Sequence, residues 1–204
     1  MSNILLESLP TKIQTESGTY EPITDFRASV EFEIMVEKGE EDPYKLLRPY
    51  YPNGLPEQEV EAAKAAIWFY QCGNEEKKYT DKPTKSTKPA YSFEVDAPSI
   101  YADFLRYYKI DLTTADLHWW KFRELLAGLP TDSAFKERVY YRTCEIKGLS
   151  KNEQKRIKEI RKQIEIPTVE KGGTITLEER NKQMLDYVKK RSAETGVKIC
   201  QTEA

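Results

Sequence analysis

The spacing of apolar residues along the chain predicts a mainly α-helical protein. Apolar side chains recur every three or four residues, which places them on one face of a helix. These periods predict helices over about 25–38, 42–51, 56–72, 97–109, 111–130, 133–146, 151–166 and 177–191. Before them, residues 3–23 alternate weakly between apolar and polar around a turn at 16–19, which predicts a small N-terminal β-hairpin.

Polar residues at the helix starts sharpen several of these boundaries. Thr24 or Asp25 is expected to cap the first helix, and Asp132 the sixth, because a side-chain oxygen there accepts an unpaired backbone N–H. Pro56 is expected to be the first residue of the third helix. Ser150 and Glu153 have the spacing of a capping box ahead of the basic helix.

The stretch 111–130, DLTTADLHWWKFRELLAGLP, predicts a central packing helix. Thr113 or Thr114 is expected to cap its start, and Gly128 followed by Pro130 to end it. One face carries the residues expected in the core: His118, Trp119, Phe122, Leu125, Leu126 and Leu129. A single histidine on such a face is more often a hydrogen-bonded core residue than a catalyst, and we interpret His118 so.

Leu117 and Trp120 lie on the opposite side of that helix, among charged residues. Each is either covered by a neighbouring helix, which is the favoured alternative, or is an exposed anchor of the kind that dominates protein interfaces. Trp68 poses the same question on the third helix. We therefore take these three residues as candidate partner-binding residues.

The helix at 151–166 carries a narrow stripe of isoleucines, Ile157, Ile160 and Ile164, amid lysines, arginines and glutamates. A solvated helix with intrahelical ion pairs is favoured over a phosphate-binding one, because acidic residues interrupt the basic ones. The three isoleucines bury little area alone and must pack on another surface. That surface is their own domain, which is the favoured alternative, a second copy of the chain, or a client protein.

Composition excludes several classes of function. The chain has 204 residues, a formal net charge of -2 and 32% charged residues, whereas general nucleic-acid binders are more basic. One histidine and three separated cysteines predict neither a metal site nor disulfides. No phosphate loop, dinucleotide fingerprint or nucleophile elbow is present, so we expect no enzyme activity and no cofactor. No leader or membrane span is predicted, and a reduced cytoplasm fits best.

Four blocks of sequence, in this order, resemble one known family. They are TDFR at 24–27, IWFYQCG at 67–73, YSFEVDAPSIYADFL at 91–105 and LHWWKFRELLAGLP at 117–130. Together they resemble the bacteriophage "gp fifteen" proteins, which are small proteins of long-tailed phages and of prophages in Gram-positive bacteria, encoded next to the tape measure. The resemblance runs over about 3–167.

The resemblance implies a function and a division of the chain. By gene position these proteins are similar to tail assembly chaperones, which cover the tape measure protein, recruit major tail-tube protein and are absent from the mature virion. It implies a tail-assembly domain at 1–167, with a mobile polar connection near 74–89, and a helical extension at 168–204. The expected location is the cytoplasm of an infected or lysogenic bacterium.

The resemblance leaves other functions and contacts open. A structural tail component that stays in the virion is the main alternative, and a nucleic-acid-binding module is a third. Self-association also stays open as a contact of this chain. The family supplies no catalytic or ligand residues to transfer to this sequence.

Overall fold

The computed structural model describes residues 4–15, 17–74, 89–167 and 177–194. Within these ranges the chain is mainly helical with one two-stranded N-terminal hairpin, as predicted. In chain order the elements are β1 Ile13–Thr15, β2 Gly18–Tyr20, α1 Phe26–Glu37, α2 Pro43–Leu47, α3 Glu59–Tyr70, α4 Phe93–Asp103, a π-helical turn Phe104–Tyr108, α5 Trp119–Ala127, α6 Ala134–Thr143, α7 Lys151–Gln163 and α8 Leu177–Glu194.

The chain divides into two compact units. Unit 1 comprises residues 1–84, 117–120 and 171–204, and unit 2 comprises 85–116 and 121–170. Helix α5 therefore contributes Trp119 and Trp120 to unit 1 and its remaining residues to unit 2. Each unit has its own buried aromatic side chains, and each is described separately below.

The hairpin of unit 1 is antiparallel and packs against α3. Ile13 pairs with Tyr20, and both side chains are buried, so the apolar pair faces the core. The Tyr20 hydroxyl donates a hydrogen bond to Gln58 Oε1 at 2.8 Å, just ahead of α3. The weak alternation in the sequence is thus enough for a hairpin because a helix covers one of its faces.

Helices α1 and α2 both begin at aspartate caps. Asp25, rather than Thr24, caps α1, and its carboxylate accepts the Arg27 N–H at 2.9 Å. Asp42 caps α2 by accepting the Tyr44 N–H at 3.0 Å. Asp42 is followed by Pro43 in the first turn, where the missing N–H leaves no donor unpaired.

Helix α3 begins at Glu59, so the prediction that Pro56 opens it is wrong. Gln58 stands at the N-cap position but makes no side-chain capping bond, and its side chain accepts from Tyr20 instead. The helix ends at Tyr70, and Gly73 shortly after it has a φ of +69°, a conformation that suits glycine.

Helix α8 confirms the prediction of a final helix and belongs to unit 1. It packs against α3 and α2. Thr176, expected to cap it, lies outside the described residues. The predicted division into 1–167 and 168–204 comes from the family resemblance and stays a prediction. Residues 75–88 of the predicted polar connection also lie outside the described part of the chain.

In unit 2, helix α4 begins four residues before its predicted start. Ser92 caps it and accepts the Val95 N–H at 3.2 Å, so the helix opens at Phe93 and continues through Pro98. The π-helical turn then leads to Lys109, which has a left-handed φ of +58°.

Helix α5 is shorter than predicted, because it begins at Trp119 and not near Thr113. Asp111 accepts hydrogen bonds from the Thr113 N–H at 2.9 Å and hydroxyl at 2.6 Å, which forms a local turn instead of a helix cap. The predicted core face is largely confirmed, since Trp119, Phe122 and Leu126 are buried.

Helices α6 and α7 confirm two predicted helices and correct two details. Ser133, not Asp132, caps α6 by accepting the Lys136 N–H at 3.3 Å. The apolar period of α6 predicts that Tyr140 points inward with Phe135 and Val139, but Tyr140 is 60% exposed. The predicted capping box of Ser150 and Glu153 opens α7, and α7 packs on α6.

Candidate interaction site

Unit 1 contains the four residues Leu117–Trp120, which lead into the first turn of α5 and which we call the tryptophan segment. Its backbone pairs with the start of α1: the Phe26 N–H donates to Leu117 O and the Trp119 N–H donates to Thr24 O, both at 2.9 Å. The pairing joins parts of the chain that are far apart in sequence. It also explains why α5 cannot begin earlier, because residue 118 is committed to an isolated β-bridge with Asp25.

Two consecutive indoles of the tryptophan segment close the C-terminal end of α3. Trp119 Nε1 donates to Tyr70 O at 2.9 Å, and Trp120 Nε1 donates to Phe69 O at 2.8 Å. The last carbonyls of a helix have no partner within the helix itself. The Trp119 indole supplies a donor to Tyr70 O, whereas Phe69 O accepts the Cys72 N–H at 3.0 Å as well as the Trp120 indole. Trp119 also stacks on Tyr70, and Trp120 on Phe69.

His118 is half-buried and stands just before the first residue of α5, where its side chain caps the helix. Its Nδ1 accepts the Trp120 N–H at 3.1 Å, and its Nε2 lies 3.1 Å from Pro10 O. Since Nδ1 accepts, the proton of the neutral ring is assigned to Nε2, which donates to the carbonyl. The interpretation of His118 as a hydrogen-bonded packing residue agrees with this geometry.

Trp120 and Leu117 are covered by unit 1, with exposed fractions of 5% and 7%. Of the two alternatives, a covered side chain and an exposed anchor, the structure therefore has the covered side chain for both residues. Their role as partner-binding residues stays a prediction, and it would require them to be uncovered. The sequence alone could not show that Trp120 is covered, because the rings that pack on it, those of Trp68 and Phe69, lie at the end of α3.

Trp68 is half-buried and remains accessible at the surface of unit 1. Its ring centroid lies 5.5 Å from that of Trp120. Gly73 lies under both indoles: a Cβ added there would be 2.9 Å from Trp120 Cη2 and 3.1 Å from Trp68 Cζ2. Trp68 is thus an aromatic residue that is packed against Trp120 and only partly buried. Rigid, partly exposed aromatic residues are typical interface anchors.

Unit 2 has a charged cluster on α6. Asp96, fully buried, accepts hydrogen bonds from Arg138 Nε at 2.7 Å, from Arg142 Nη2 at 2.9 Å and from the Ser92 N–H at 3.1 Å. Burial alone would raise the pKa of Asp96, but the hydrogen bonds from Arg142, Arg138 and Ser92 outweigh it and lower the pKa. The carboxylate therefore stays ionised and binds α4 to α6.

Both ends of α6 are bound by charged side chains from other parts of unit 2. At the N-terminus, buried Asp103 accepts the N–H groups of Ala134 at 3.3 Å and Phe135 at 2.8 Å. A carboxylate there is also favoured by the helix dipole. At the C-terminal end, Arg161 of α7 donates to the carbonyls of Tyr141, at 2.7 Å, and of the C-cap residue Cys144. These contacts give α6 a structural role that the sequence pattern did not indicate.

The isoleucine stripe of α7 is used within unit 2. Ile157 is 6% exposed, while Ile160 and Ile164 are half-buried. Docking on the chain's own domain, the favoured alternative, agrees with the packing of α7 on α6. Partner binding by the two half-buried isoleucines stays a prediction. On another side of α7, a shallow depression is lined by Lys151, Gln154, Lys155, Lys158, Glu159 and Lys162.

Several apolar side chains are exposed although nothing in the sequence predicts it. In unit 2 they include Leu105, which is 42% exposed, and Tyr140. In unit 1 the N-terminal residues Leu5 and Leu6 are more than four-fifths exposed. Sequence periodicity gave no signal for them, because an apolar residue on a helical period is expected to point inward.

A comparison with known families identifies the chain. The family model described as "Bacteriophage Gp15 protein" matches residues 5–166, which is most of the 204-residue chain. The chain belongs to this family. The resemblance seen in the sequence is therefore confirmed, and the protein is a bacteriophage protein. No curated protein and no solved structure matches it.

All six candidate partner-binding residues of this Gp15 family protein lie within the matched range. Leu117, Trp120 and Trp68 belong to unit 1, whereas the three isoleucines belong to unit 2. Among the described residues, no three histidine, cysteine or carboxylate side chains come together as a metal ion would require. In the same part of the chain, no helix has the length and hydropathy of a membrane span.

Proposed function

We propose that this Gp15 family protein is a non-enzymatic tail assembly chaperone. It binds the tape measure protein of its phage in the cytoplasm of the host bacterium and recruits major tail-tube subunits to it. Membership of the phage family supports the setting. The role itself is carried over from the resemblance of such proteins, by gene position, to tail assembly chaperones.

The observation that carries the proposal is the position of Trp68. A chaperone that acts by covering its client needs no reacting groups, but it needs apolar side chains that are accessible and already ordered. Trp68 meets both conditions, because Trp120 and Gly73 pack against its ring while the residue is only partly buried. It replaces Trp120 as the first residue to test, since Trp120 is covered.

The test is a binding measurement between the purified chain and a purified fragment of the tape measure protein. Truncation of an interface tryptophan typically weakens binding by 2 kcal/mol or more, so Trp68→Ala is expected to lower the affinity at least ~30-fold. Tyr140→Ala serves as the matched control, because it removes an exposed aromatic ring from unit 2. Circular dichroism checks that each variant is folded.

Two results would overturn parts of this proposal. If the fragment does not bind the wild-type chain, the tape measure protein is not its client. If Tyr140→Ala weakens binding and Trp68→Ala does not, the anchor has been placed in the wrong unit. A gel shift with strong salt dependence would instead favour the nucleic-acid-binding alternative, with the lysines of α7 as the phosphate contacts.

A further inference from the structure

Helix α8 packs on unit 1 through a narrow stripe of side chains. Asn181, Met184 and Val188 are buried at intervals of three and four residues, and exposed charged residues occupy much of the rest of the helix. The helix packs against α3 and α2. Such a stripe is the pattern of an amphipathic helix laid on an apolar face.

Asn181 makes this packing imperfect. It is only 1% exposed, yet neither its Nδ2 nor its Oδ1 has a hydrogen-bond partner among the described residues. A buried amide without partners loses its hydrogen bonds to water and gains nothing in return. An aliphatic residue at this position would bind the same face more tightly, by about tenfold or more.

Helix α3, against which α8 packs, has small buried side chains. Its buried residues include Ala62, Ala63 and Ala66, and small side chains let two helices approach each other closely. At the α2 side, Tyr44 donates to Glu59 Oε2 at 2.6 Å. Burial and this bond raise the pKa of Tyr44 to about 12, while the charge of nearby Arg191 acts to lower it. The last turns of α8 therefore lie beside α2.

Helix α8 lies outside the range matched by the family model, whereas the face that it covers lies inside that range. The family match ends at residue 166, and α8 begins at Leu177. Helices α2 and α3 lie wholly inside the match. The apolar face thus belongs to the part of the chain that defines the family, whereas its cover does not.

We propose that α8 is a replaceable occupant of the face formed by α2 and α3, and that an amphipathic helix of the tape measure protein takes its place. The identity of this partner rests on the proposed function. The incoming helix carries aliphatic residues at the spacing of Asn181, Met184 and Val188. It outcompetes α8 because it has no unpaired polar group at the first of these positions. While no client is bound, α8 keeps the face covered.

The first experiment needs no client. In full-length Val188→Glu, a charge replaces a side chain that is fully buried, so α8 should leave the face. Hydrogen exchange is expected to become fast in α8 while α3 stays protected. A labelled peptide of residues 177–194 should then bind this variant, about tenfold tighter with Asn181→Leu than with the native sequence. Lys189→Glu, at an exposed position of α8, is the matched control and should change none of these readouts.

Either of two outcomes of that experiment would overturn the inference. In one, α3 loses its protection together with α8, which would make α8 an integral part of unit 1. In the other, the peptide does not bind the variant, or both peptides bind it equally well.

The second experiment adds the tape measure fragment. Full-length Asn181→Leu should hold α8 more tightly and bind the fragment about tenfold more weakly than the wild type, and Val188→Glu should bind it more strongly. Gln183→Leu adds the same side chain at an exposed position and should leave binding unchanged.

If the fragment binds all of these chains equally and α8 stays protected, the inference is wrong and the proposed function stands. If the peptide of residues 177–194 binds Val188→Glu as expected but the tape measure fragment binds none of the chains, the proposed function is wrong.

Discussion

The end of α3 in unit 1 and the helix α6 in unit 2 solve the same problem with different chemistry. Both have backbone groups at a helix end that need hydrogen-bond partners. At α3 the partners are two neutral indoles, Trp119 and Trp120, whose rings also fill the core. At α6 they are charged side chains, Asp103 and Arg161.

This difference predicts how each unit loses stability. Removing the Trp119 indole leaves a cavity and takes the N–H donor away from Tyr70 O, and the effect should depend little on pH. Removing Asp96, which joins α4 to α6, leaves Arg138 and the largely buried Arg142 without the carboxylate that pairs them, and the effect should depend on pH. All three tryptophans, Trp68, Trp119 and Trp120, belong to unit 1, so tryptophan fluorescence reports on that unit.

The largest effect is expected from Trp119→Ala. Trp119 is fully buried, and truncating a core aromatic residue lowers the free energy of unfolding by about 3–5 kcal/mol. Trp119→Phe keeps an aromatic ring but removes the N–H that donates to Tyr70 O, and should lower it by about 1–3 kcal/mol. Urea denaturation followed by circular dichroism measures both values. Equal losses for the two variants would show that volume plays no part in closing α3.

Asp96→Asn should be nearly as damaging, at about 3–5 kcal/mol at neutral pH, because two arginines lose the carboxylate that pairs them. The control is Glu21→Gln, which breaks the exposed Lys12–Glu21 ion pair and should cost no more than about 1 kcal/mol. Hydrogen exchange in α4 and α6 locates the loss within unit 2.

The pH dependence of that difference follows from the lowered pKa of Asp96. A carboxyl group with a depressed folded-state pKa stabilises the fold above its ordinary pKa of about 4, and this contribution is lost as the pH falls through the folded-state value. The stability gap between wild type and Asp96→Asn should therefore be constant near neutrality and close in acid. A gap that widens in acid would contradict the assigned network.

Gly73→Ala should give a smaller loss, about 2–3 kcal/mol, which combines a strained positive φ with a clash against two indole rings. Gly39→Ala separates these causes. Its φ is +78°, but an added Cβ meets nothing within 4 Å, so only the backbone strain of about 1 kcal/mol remains. If both variants lose the same stability, the packing of Trp68 and Trp120 on Gly73 is not tight.

The smallest effect is expected from Ser150→Ala, which removes half of the capping box of α7. The Ser150 hydroxyl oxygen accepts the Glu153 N–H at 3.3 Å, and loss of such a cap lowers stability by about 1 kcal/mol. Asn152→Ala, an exposed change in the same helix, should stay within about 0.5 kcal/mol. Thermal melts of both variants against wild type measure this, and an effect of Asn152→Ala as large as that of Ser150→Ala would argue against the cap.

Sequence reasoning succeeded where the deciding interaction is local. Asp25 and the Ser150–Glu153 pair sit next to the helices that they cap, so their spacing predicts the helix starts. The mainly helical class follows for the same reason. Ser92 carries the same kind of local signal, yet the periodicity places the start of this helix only near residue 97.

Sequence reasoning failed where the deciding contact is distant. The start of α5 depends on backbone bonds between the tryptophan segment and the residues before α1, which no local pattern reveals. The burial of Trp120 was missed for the same reason, because its partner Phe69, which accepts its N–H and stacks on its ring, is distant in the sequence. The network around Asp96 was also missed, because its charges look in sequence like an ordinary solvated helix face.

The measurement that tests the central claim most directly is quantitative mass spectrometry on cells producing the phage and on the purified particles. We expect the chain to co-purify from the cells with the tape measure protein, with Trp68→Ala reducing the recovered complex, and we expect none of the chain in finished particles. Stoichiometric amounts in the particles would contradict the account and favour a structural tail component.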